Sequence, residues 1–320
     1  MISRIGTFGH QQALIELFKL NQTRVGESQR QVASGKVANE FRGLSRQAVS
    51  LVSFKSLREQ ALALQDSNTA LNVKLAANET TLAAIDDVTK ELNELVLNAA
   101  GLKKADGLVN AIGNLVERVA GLLNTRVGGK FIFAGSNTTQ APSAVTNPTE
   151  LLAVAEPPAG NFFTNNTIKA QARIDENVTI TYGVLASDVG QDVLHVMQRI
   201  LMFNAGTLPA GAGAFAPAGP FSDPLTDAQS DFLVNETKQI KTAQRTLTDA
   251  EAGNGVLMKQ VQDATDRQAD KVIFLSEFIK DTEDVDLPTA VAELNQHQTA
   301  LQASFQILAR ISRLNLTDFL

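Results

Sequence analysis

Residues 57–99 decide the fold, and they read LREQALALQDSNTALNVKLAANETTLAAIDDVTKELNELVLNA. Apolar residues recur in this stretch at alternating intervals of four and three, which is the spacing of a coiled-coil seam. The apolar positions of the seam are Leu57, Ala61, Leu64, Leu71, Leu75, Leu82, Ile85, Leu92, Val96 and Ala99. Polar residues occupy the remaining seam positions, and we call them polar steps; they are Asn68, Asn78 and Thr89. At the helical rise per residue the stretch would be roughly 60 Å long, so the sequence predicts a rod.

A second long seam lies far downstream. It consists of Leu233, Ile240, Ala243, Leu247, Ala250, Leu257, Val261, Ala264, Leu275 and Phe278, interrupted by Asn254, Gln268 and Lys271. Residues 101–107 break the first helix, and a shorter helix follows with Leu108, Ile112, Leu115, Val119 and Leu122 on one face. Because each buried Leu or Ile contributes about 1.5 to 3 kcal/mol, the seams outweigh their polar steps. Those steps either set the register within one molecule or contact other subunits.

Two glycines interrupt the second long helix. Gly253 and Gly255 flank Asn254, and a glycine in a helix interior costs about 1 kcal/mol. We therefore expect a local irregularity or a close helix contact at this point.

Both ends of the chain read as amphipathic helices with narrow apolar stripes. The front seam has Leu14, Phe18, Val25 and Val32 with Asn21 and Ser28 as polar steps, and the back seam has Leu287, Val291, Leu294, Leu301, Phe305 and Leu308 with Gln298. Leu316, Phe319 and Leu320 follow, and such large apolar residues need a partner. We predict that these two helices make the assembly contacts. Because isolated narrow-seam helices are marginal, both should be largely disordered until neighbouring subunits enclose them.

The middle of the chain has a different character. We predict a strand at 130–134, a hairpin of 170–174 with 178–182, a helix at 191–204 and a loop at 205–224. The predicted fold is mainly α, a long antiparallel helical coiled-coil rod formed by the N- and C-terminal segments, with a small β-containing insert domain. The predicted domains are a terminal coiled-coil domain of 1–43 plus 285–320, a helical rod domain of 44–128 plus 225–284, and an outward-facing insert of 129–224.

Composition excludes several classes of function. The chain has no Cys, which excludes disulfides, thiol nucleophiles and thiolate metal sites. Its formal net charge of -6 argues against a nucleic-acid partner, which would need a basic surface. No segment approaches the about eighteen uninterrupted apolar residues of a membrane span, and the N-terminus lacks the pattern of a cleaved signal, so we expect no membrane insertion and no signal-dependent secretion.

The few motif-like patterns favour structural roles. His10, His195 and His297 do not have metal-ligand spacing, so packing or surface positions are expected for them. The segment 128–130, Gly-Gly-Lys, lacks the other residues of a phosphate loop and predicts a turn before a strand. The acidic run 281–286 lacks the glycine and closing Glu of a calcium loop and predicts a linker. We therefore predict no catalytic residues, no metal, no cofactor and no enzyme activity.

Three segments resemble a known group of proteins. Residues 29–41, QRQVASGKVANEF, and the tail 298–320 are similar to the corresponding segments of bacterial flagellins and of flagellar hook-associated protein 3. Residues 124–137, NTRVGGKFIFAGSN, followed by Pro142, resemble the Gly-Arg-Tyr-Leu-Phe-Ala-Gly-Ser pattern of the hook-filament junction proteins. The chain thus resembles the bacterial flagellin superfamily, and within it most closely the hook-associated protein 3 family.

This resemblance implies a location and partners. It implies export through the flagellar type III system without a cleaved signal, an extracellular place in the bacterial flagellum, and terminal helices that form an inner tube. The implied partners are hook-associated protein 1, flagellin, copies of the chain itself in a ring, and an export chaperone. The expected function is a structural subunit that joins a hook-side protein to the flagellin filament by helix packing.

Two alternatives remain open. The chain could be flagellin itself, the bulk subunit of the filament. The sequence gives less support to the other alternative, a surface adhesion or glycan-binding module presented on a rod. In that case Phe162, Phe163 and Tyr182 are the candidate binding residues, whereas otherwise they fill the small core of the insert.

Overall fold

A computed structural model describes residues 3–37, 47–155, 160–209 and 219–317. The helices are α1 Ser3–Ser34, α2 Gln47–Leu102, α3 Leu108–Leu123, α4 Pro148–Ala153, α5 Ala186–Ala205, α6 Asp227–Glu283 and α7 Leu287–Thr317. Two antiparallel hairpins join β1 Arg126–Val127 to β2 Lys130–Phe131 and β3 Ala170–Asp175 to β4 Val178–Tyr182. The prediction of a mainly α fold with long helices and a small β-containing part is confirmed.

The chain divides into two compact units. The terminal unit comprises Met1–Leu62 and Ala269–Leu320, and the central unit comprises Ala63–Gln268. The long helices α2 and α6 each contribute residues to both units. The finer division into three domains stays a prediction.

The core of the central unit is built on the predicted seams. On α2 the seam residues Leu75, Leu82, Ile85, Leu92 and Val96 are fully buried. The core around Leu82 and Leu92 includes the predicted face of α3, the apolar residues of α5, and Leu233, Ile240, Ala243 and Leu247 of α6, whereas Leu75 belongs to a separate cluster with the second hairpin. On α3 the predicted Leu122 is only half-buried, and the adjacent Leu123 is buried in its place. Three helices, α3, α5 and α6, therefore cover this part of the α2 seam.

The glycines between β1 and β2 form the predicted turn. Gly128 and Gly129 both have positive φ, 58° and 79°, as a two-residue type I′ hairpin turn requires. The predicted strand at 130–134 is shorter than expected, because β2 ends at Phe131. Phe133 is fully buried instead, and its carbonyl accepts a hydrogen bond of 3.0 Å from the backbone N–H of Ala186 at the start of α5.

The second hairpin confirms its prediction, with β3 one residue longer than expected. Ala170 pairs with Tyr182 and Ala172 with Ile180, which points Ala172, Ile174, Ile180 and Tyr182 towards α2 and α6. The helix expected at 191–204 also forms but is longer, starting at Ala186.

The expectation for Gly253 and Gly255 is wrong. Helix α6 continues through both residues, and a Cβ atom added at either would meet open space. The long seam on both sides maintains the helix despite the propensity cost of the two glycines. Among the described residues no helix combines the length and the apolar character that a membrane crossing needs.

Candidate assembly interface

Helices α1 and α7 pack against each other in the terminal unit. The rings of Phe18 and Phe305 meet edge to face with centroids 4.7 Å apart. The Asn21 amide donates a hydrogen bond of 2.8 Å to Ser304 Oγ, and further along Ser28 Oγ lies 2.9 Å from His297 Nδ1. The two helices are antiparallel, because residues further along α1 contact residues nearer the start of α7.

The predicted assembly residues differ in burial. Val25 is buried, whereas Leu14, Phe18, Val32, Leu294, Leu301 and Leu308 are half-buried. Phe305 is 56% exposed even though its ring touches Phe18. The side chain of Leu316 and the residues Phe319 and Leu320 lie outside the part of the chain that the structure describes. The structure thus brings the two predicted seams together, but their apolar side chains are only partly covered.

Two polar residues of this interface were missed by sequence reasoning. Ser304 and His297 lie one position from the predicted back seam, yet they bond to the polar steps Asn21 and Ser28 of the front seam. The signal was present, because a polar step on one helix needs a polar partner on the other when the pair is buried. His297 thus makes a packing contact, which is one of the two kinds of position expected for it.

A second apolar surface lies where α2 begins and α6 ends. Leu51 and Ile279 form a small buried cluster there. Around it the rings of Phe54, Phe274 and Phe278 form a row, with centroids 5.1 Å apart for Phe54 and Phe278 and 5.4 Å for Phe274 and Phe278. The side chain of Phe274 is 59% exposed, although Phe side chains are usually buried.

Exposed apolar side chains are concentrated in the terminal unit. An apolar surface of this kind on a soluble protein marks an interaction site. The large apolar side chains that remain exposed in this unit are Ile15, Leu17, Leu20, Val37, Val49, Val52, Leu57, Ile273, Phe274, Phe278, Leu287, Val291, Phe305 and Ile307.

An ionic clasp fixes the chain after α1 to the link between α6 and α7. Backbone hydrogen bonds join Val37 N–H to the Glu283 carbonyl at 2.8 Å and Val285 N–H to the Gly35 carbonyl at 2.9 Å. Lys36 Nζ lies 2.6 Å from Asp284 Oδ1 and 3.5 Å from Glu283 Oε2. Gly35 permits this geometry because its φ is 69°, a value that favours glycine.

Charge in the clasp shifts two pKa values. The hydrogen bond that Lys36 Nζ donates to the Asp284 carboxylate raises the pKa of Lys36. Lys55 Nζ, 2.7 Å from Glu283 Oε1, is the main cause that lowers the pKa of Glu283, with Lys36 adding to the effect against the cost of burial. The acidic linker predicted at 281–286 thus contains the partners of two lysines, and its first three residues still belong to α6.

Polar steps of the central seams bond within the chain. Asn68 Nδ2 donates to the Ile174 carbonyl at 2.9 Å. Asn254 Nδ2 donates to the Leu75 carbonyl at 3.0 Å and to Glu79 Oε2 at 2.8 Å. Both side chains are buried, so these contacts set the register inside one molecule, which is one of the two roles left open by the sequence.

Gln268 and Arg267 of α6 hold the tip of the second hairpin through Asp175. Gln268 Nε2 donates to Asp175 Oδ1 at 2.8 Å, and Arg267 Nη2 lies 3.3 Å from Asp175 Oδ2. Burial acts to raise the pKa of Asp175, but the backbone N–H of Glu176 together with Arg267 and Gln268 outweighs burial and lowers this pKa. The hairpin is thus fixed to α6 by Asp175 and to α2 by Asn68.

The candidate residues for glycan binding are placed mostly in the core. Phe162 is fully buried and Phe163 is 6% exposed. Tyr182 is half-buried, and Lys74 Nζ lies 6.0 Å from its ring centroid. In the described ranges no group of three or more His, Asp and Glu side chains is arranged to hold a metal ion.

The C-terminal helices are similar to a known class of proteins. Residues 237–320 match the family model of the bacterial flagellin C-terminal helical region. This region comprises most of α6 and all of α7, including Phe305 and the clasp residue Glu283. No curated protein matches the chain significantly.

Solved structures share the fold. A protein from Vibrio parahaemolyticus assigned as a flagellar hook-associated protein has a TM-score of 0.56 at 14% identity, over 74% of this chain and 97% of that one. FlgL from Bacillus cereus has a TM-score of 0.51 at 11% identity, over 72% of this chain and 98% of that one. The resemblance to flagellin-like and hook-associated proteins predicted from the sequence is confirmed.

Proposed function

We propose that this chain is a structural subunit of the bacterial flagellum that joins a hook-side protein to the flagellin filament. The observation that carries the proposal is the exposed apolar surface of the terminal unit. Support also comes from the match of residues 237–320 to the flagellin C-terminal region and from the fold shared with hook-associated proteins. The proposed activity is packing, without chemical catalysis.

The mechanism follows from the unfinished packing of the terminal helices. Helices α1 and α7 contact each other through a single seam and leave Leu17, Leu20 and Ile307 exposed on other faces. Burying apolar surface gives about 25 cal/mol per Å², so neighbouring copies that cover these faces stabilise the assembly. We propose that Leu14, Phe18, Val25, Val32, Leu294, Leu301, Phe305, Leu308, Leu316, Phe319 and Leu320 lie in that assembled core.

The proposed partners are those of a junction subunit. They are hook-associated protein 1 on one side, flagellin on the other, copies of the chain in a ring, and an export chaperone before secretion by the flagellar type III system. Exposed apolar helices at both ends would require such a chaperone, because they are an aggregation hazard in the cell.

Electron microscopy of flagella from a strain lacking the gene tests the proposal. Hooks without filaments, with flagellin shed into the medium, are the expected result. Restoring the gene with Phe274→Ser and Phe278→Ser together should leave hooks bare although the monomer folds, because these rings are exposed in the monomer. The matched control changes Val234→Ser and Val256→Ser, which are exposed on the central unit to a similar extent. Normal filaments in the deletion strain would contradict the junction role.

The second candidate function is flagellin itself. One observation favours it, since the family model that matches is named for flagellin. Purified chain that elongates filaments from seeds made of its own fragments would support flagellin. Chain that fails to grow on such seeds, but is retained on isolated hooks, supports the junction role.

A further inference from the structure

We propose that the Glu251 carboxylate takes up a proton on acidification, and that this proton tightens the packing of α2 against α6 in the central unit. Carboxylates flank the seam between these two helices, and they form a cluster made of Glu79 and Asp86 on α2 and Glu251 on α6. All three residues belong to the central unit. The cluster is separate from the exposed apolar surface of the terminal unit, so the proposal does not rest on the proposed function.

The register of α2 and α6 brings these carboxylates together. Asn254 Nδ2 donates to the Leu75 carbonyl at 3.0 Å and to Glu79 Oε2 at 2.8 Å, which aligns the two antiparallel helices at this level. Glu251 lies about one turn before Asn254 on the same face of α6, and Asp86 lies about two turns after Glu79 on the same face of α2. Because a step back along α6 is a step forward along α2, Glu251 lies beside the edge that carries Glu79 and Asp86.

Glu251 is the member of the cluster that lacks a donor. Glu79 accepts the asparagine amide, and Asp86 Oδ2 lies 2.7 Å from Lys90 Nζ. The same ammonium group is 3.3 Å from Asp87 Oδ1, so it is already shared by two carboxylates. In the part of the chain that the structure describes, the half-buried Glu251 has no hydrogen-bond or ion-pair partner. Its charged form is therefore the least compensated of the three, and a proton is bound there first.

The other elements at this level do not supply the missing positive charge. Helix α5 packs on α6 here and presents Asp192, whose Oδ2 lies 3.2 Å from Thr246 Oγ1. About one turn earlier on α5, Asp188 is paired with Lys169 Nζ at 3.1 Å. Uncharged residues occupy the neighbouring positions on α6, three and four residues from Glu251; they are Leu247, Thr248, Asn254 and Gly255.

The charge of Glu251 opposes the packing of the central unit. Burial raises the pKa of Glu251, repulsion by Asp86 and Glu79 adds to the effect, and Lys90 acts against it. A carboxyl whose folded pKa lies above its unfolded value costs stability while it is charged, and this cost disappears as the pH falls through the folded pKa. Once protonated, Glu251 also has an O–H that a neighbouring carboxylate can accept. The sign is opposite to that of Glu283 in the clasp, whose lowered pKa makes its contribution fade in acid.

Carbon-13 NMR of the side-chain carboxyl groups of the full chain tests the proton site. The resonance that is missing from Glu251→Gln identifies Glu251, and its titration midpoint should lie above the ordinary value of 4.5. Asp86→Asn removes a repelling carboxylate and releases Lys90 from its 2.7 Å contact, and both changes should move the Glu251 midpoint down. A midpoint at or below 4.5, or one that Asp86→Asn leaves unchanged, overturns the proposal.

Urea titrations over a range of pH test the effect on packing. Glu251→Gln keeps the size of the side chain without its charge, so at neutral pH it should unfold at a higher urea concentration than the original chain. The gap between the two should close as the pH falls towards 4.5. Glu117→Gln, an exposed glutamate of α3 outside the cluster, is the matched control and should leave the urea midpoint at neutral pH unchanged.

Two results of these titrations contradict the proposal. One is a Glu251→Gln variant that is no more stable than the original chain at neutral pH, and the other is a gain in stability that persists in acid. Neither result alters the filament phenotype that tests the assembly function.

Discussion

In the central unit the helices α3, α5 and α6 cover the apolar seam of α2. In the terminal unit the ends of α2 and α6, together with the α1–α7 pair, leave much of their apolar surface exposed. Leu75, Leu82 and Leu92 are fully buried, but Phe274 is 59% and Phe305 56% exposed. All four helix seams have the same spacing in the sequence. A heptad seam therefore specifies a helix that packs, while the number of helices around it determines whether one chain can complete the core.

Hydrogen exchange on the free monomer should show the largest contrast between the units. Amides of α1 and α7 should exchange at least about a thousandfold faster than those of α2 around Leu92, because few buried contacts oppose local opening of the terminal helices. Mass spectrometry of deuterated peptides measures both regions in one sample. Equal protection of the terminal and central helices would contradict the idea that assembly completes the terminal unit.

The buried ion pair of the central unit should be the most sensitive single position for stability. Glu236 is fully buried, and its Oε1 lies 3.0 Å from Arg199 Nη2. Glu236→Ala removes the carboxylate that compensates this arginine, so the free energy of unfolding should fall by about 3 to 5 kcal/mol in urea titrations. Glu283→Ala, which removes one of the two carboxylates of the clasp, is the comparison and should cost less than about 1 kcal/mol. A similar loss of unfolding free energy in the two variants would contradict the proposed difference between the two units.

Truncation of one apolar side chain in each unit tests the same contrast through packing. Leu92→Ala should lower the free energy of unfolding by about 3 kcal/mol, since it leaves a cavity among fully buried neighbours. Phe278→Ala removes a larger side chain, but one that is 46% exposed, so the loss in the monomer should be about 1 kcal/mol. Calorimetry or urea titration measures both, and a larger loss for Phe278→Ala would show that the terminal unit is the better packed one.

Loss of the hairpin anchor should have a smaller and local effect. Gln268→Ala removes the hydrogen bond to Asp175, so unfolding should become easier by about 1 to 2 kcal/mol. Amide exchange should accelerate most in β3 and β4. Gln262→Ala, on the same helix but exposed and bonded to Asp266, is the control and should change neither quantity. An effect spread evenly over the central unit would contradict a local anchor.

The pH dependence of the clasp should be the smallest effect. Because Lys55 lowers the pKa of Glu283, the carboxylate stabilises the folded chain fully above the unfolded value of 4.5, and this contribution is lost as the pH falls through the lowered folded pKa. The difference in stability between the original chain and Glu283→Gln should be below about 1 kcal/mol at neutral pH. Urea titrations at a series of pH values below 4.5 should show this difference shrinking as the pH falls. A difference in stability between the original chain and Glu283→Gln that grows as the pH falls would contradict this prediction.

Regular periodicity made the helices predictable. The seams of α2 and α6, the hairpin of β3 and β4 and the break between α2 and α3 all follow from local spacing and turn residues, although the break spans 103–107 and not the predicted 101–107. The early end of β2 did not follow, because Phe133 leaves the strand to fill a core made by distant residues. The exposure of Gly253 and Gly255 was also missed, since the sequence does not say which helix face lacks a neighbour.

The candidate interface was only half visible in the sequence. Spacing identified Phe18 and Phe305 on their seams, and the structure brings their rings together. The clasp between Lys36 and Asp284 joins residues far apart in the chain, so no local pattern reports it.

The hairpin anchored by Asn68 and Asp175 has a consequence for how the two central helices can slide. A heptad repeat looks the same after a shift of about seven residues, so apolar contacts alone would tolerate an α2 displaced by one repeat along α6. The hairpin bonds to one asparagine of α2 and to the Arg267–Gln268 pair of α6, and those partners recur nowhere at a one-repeat offset. The hairpin therefore permits only one of the registers that the repeating apolar contacts of α2 and α6 would otherwise allow.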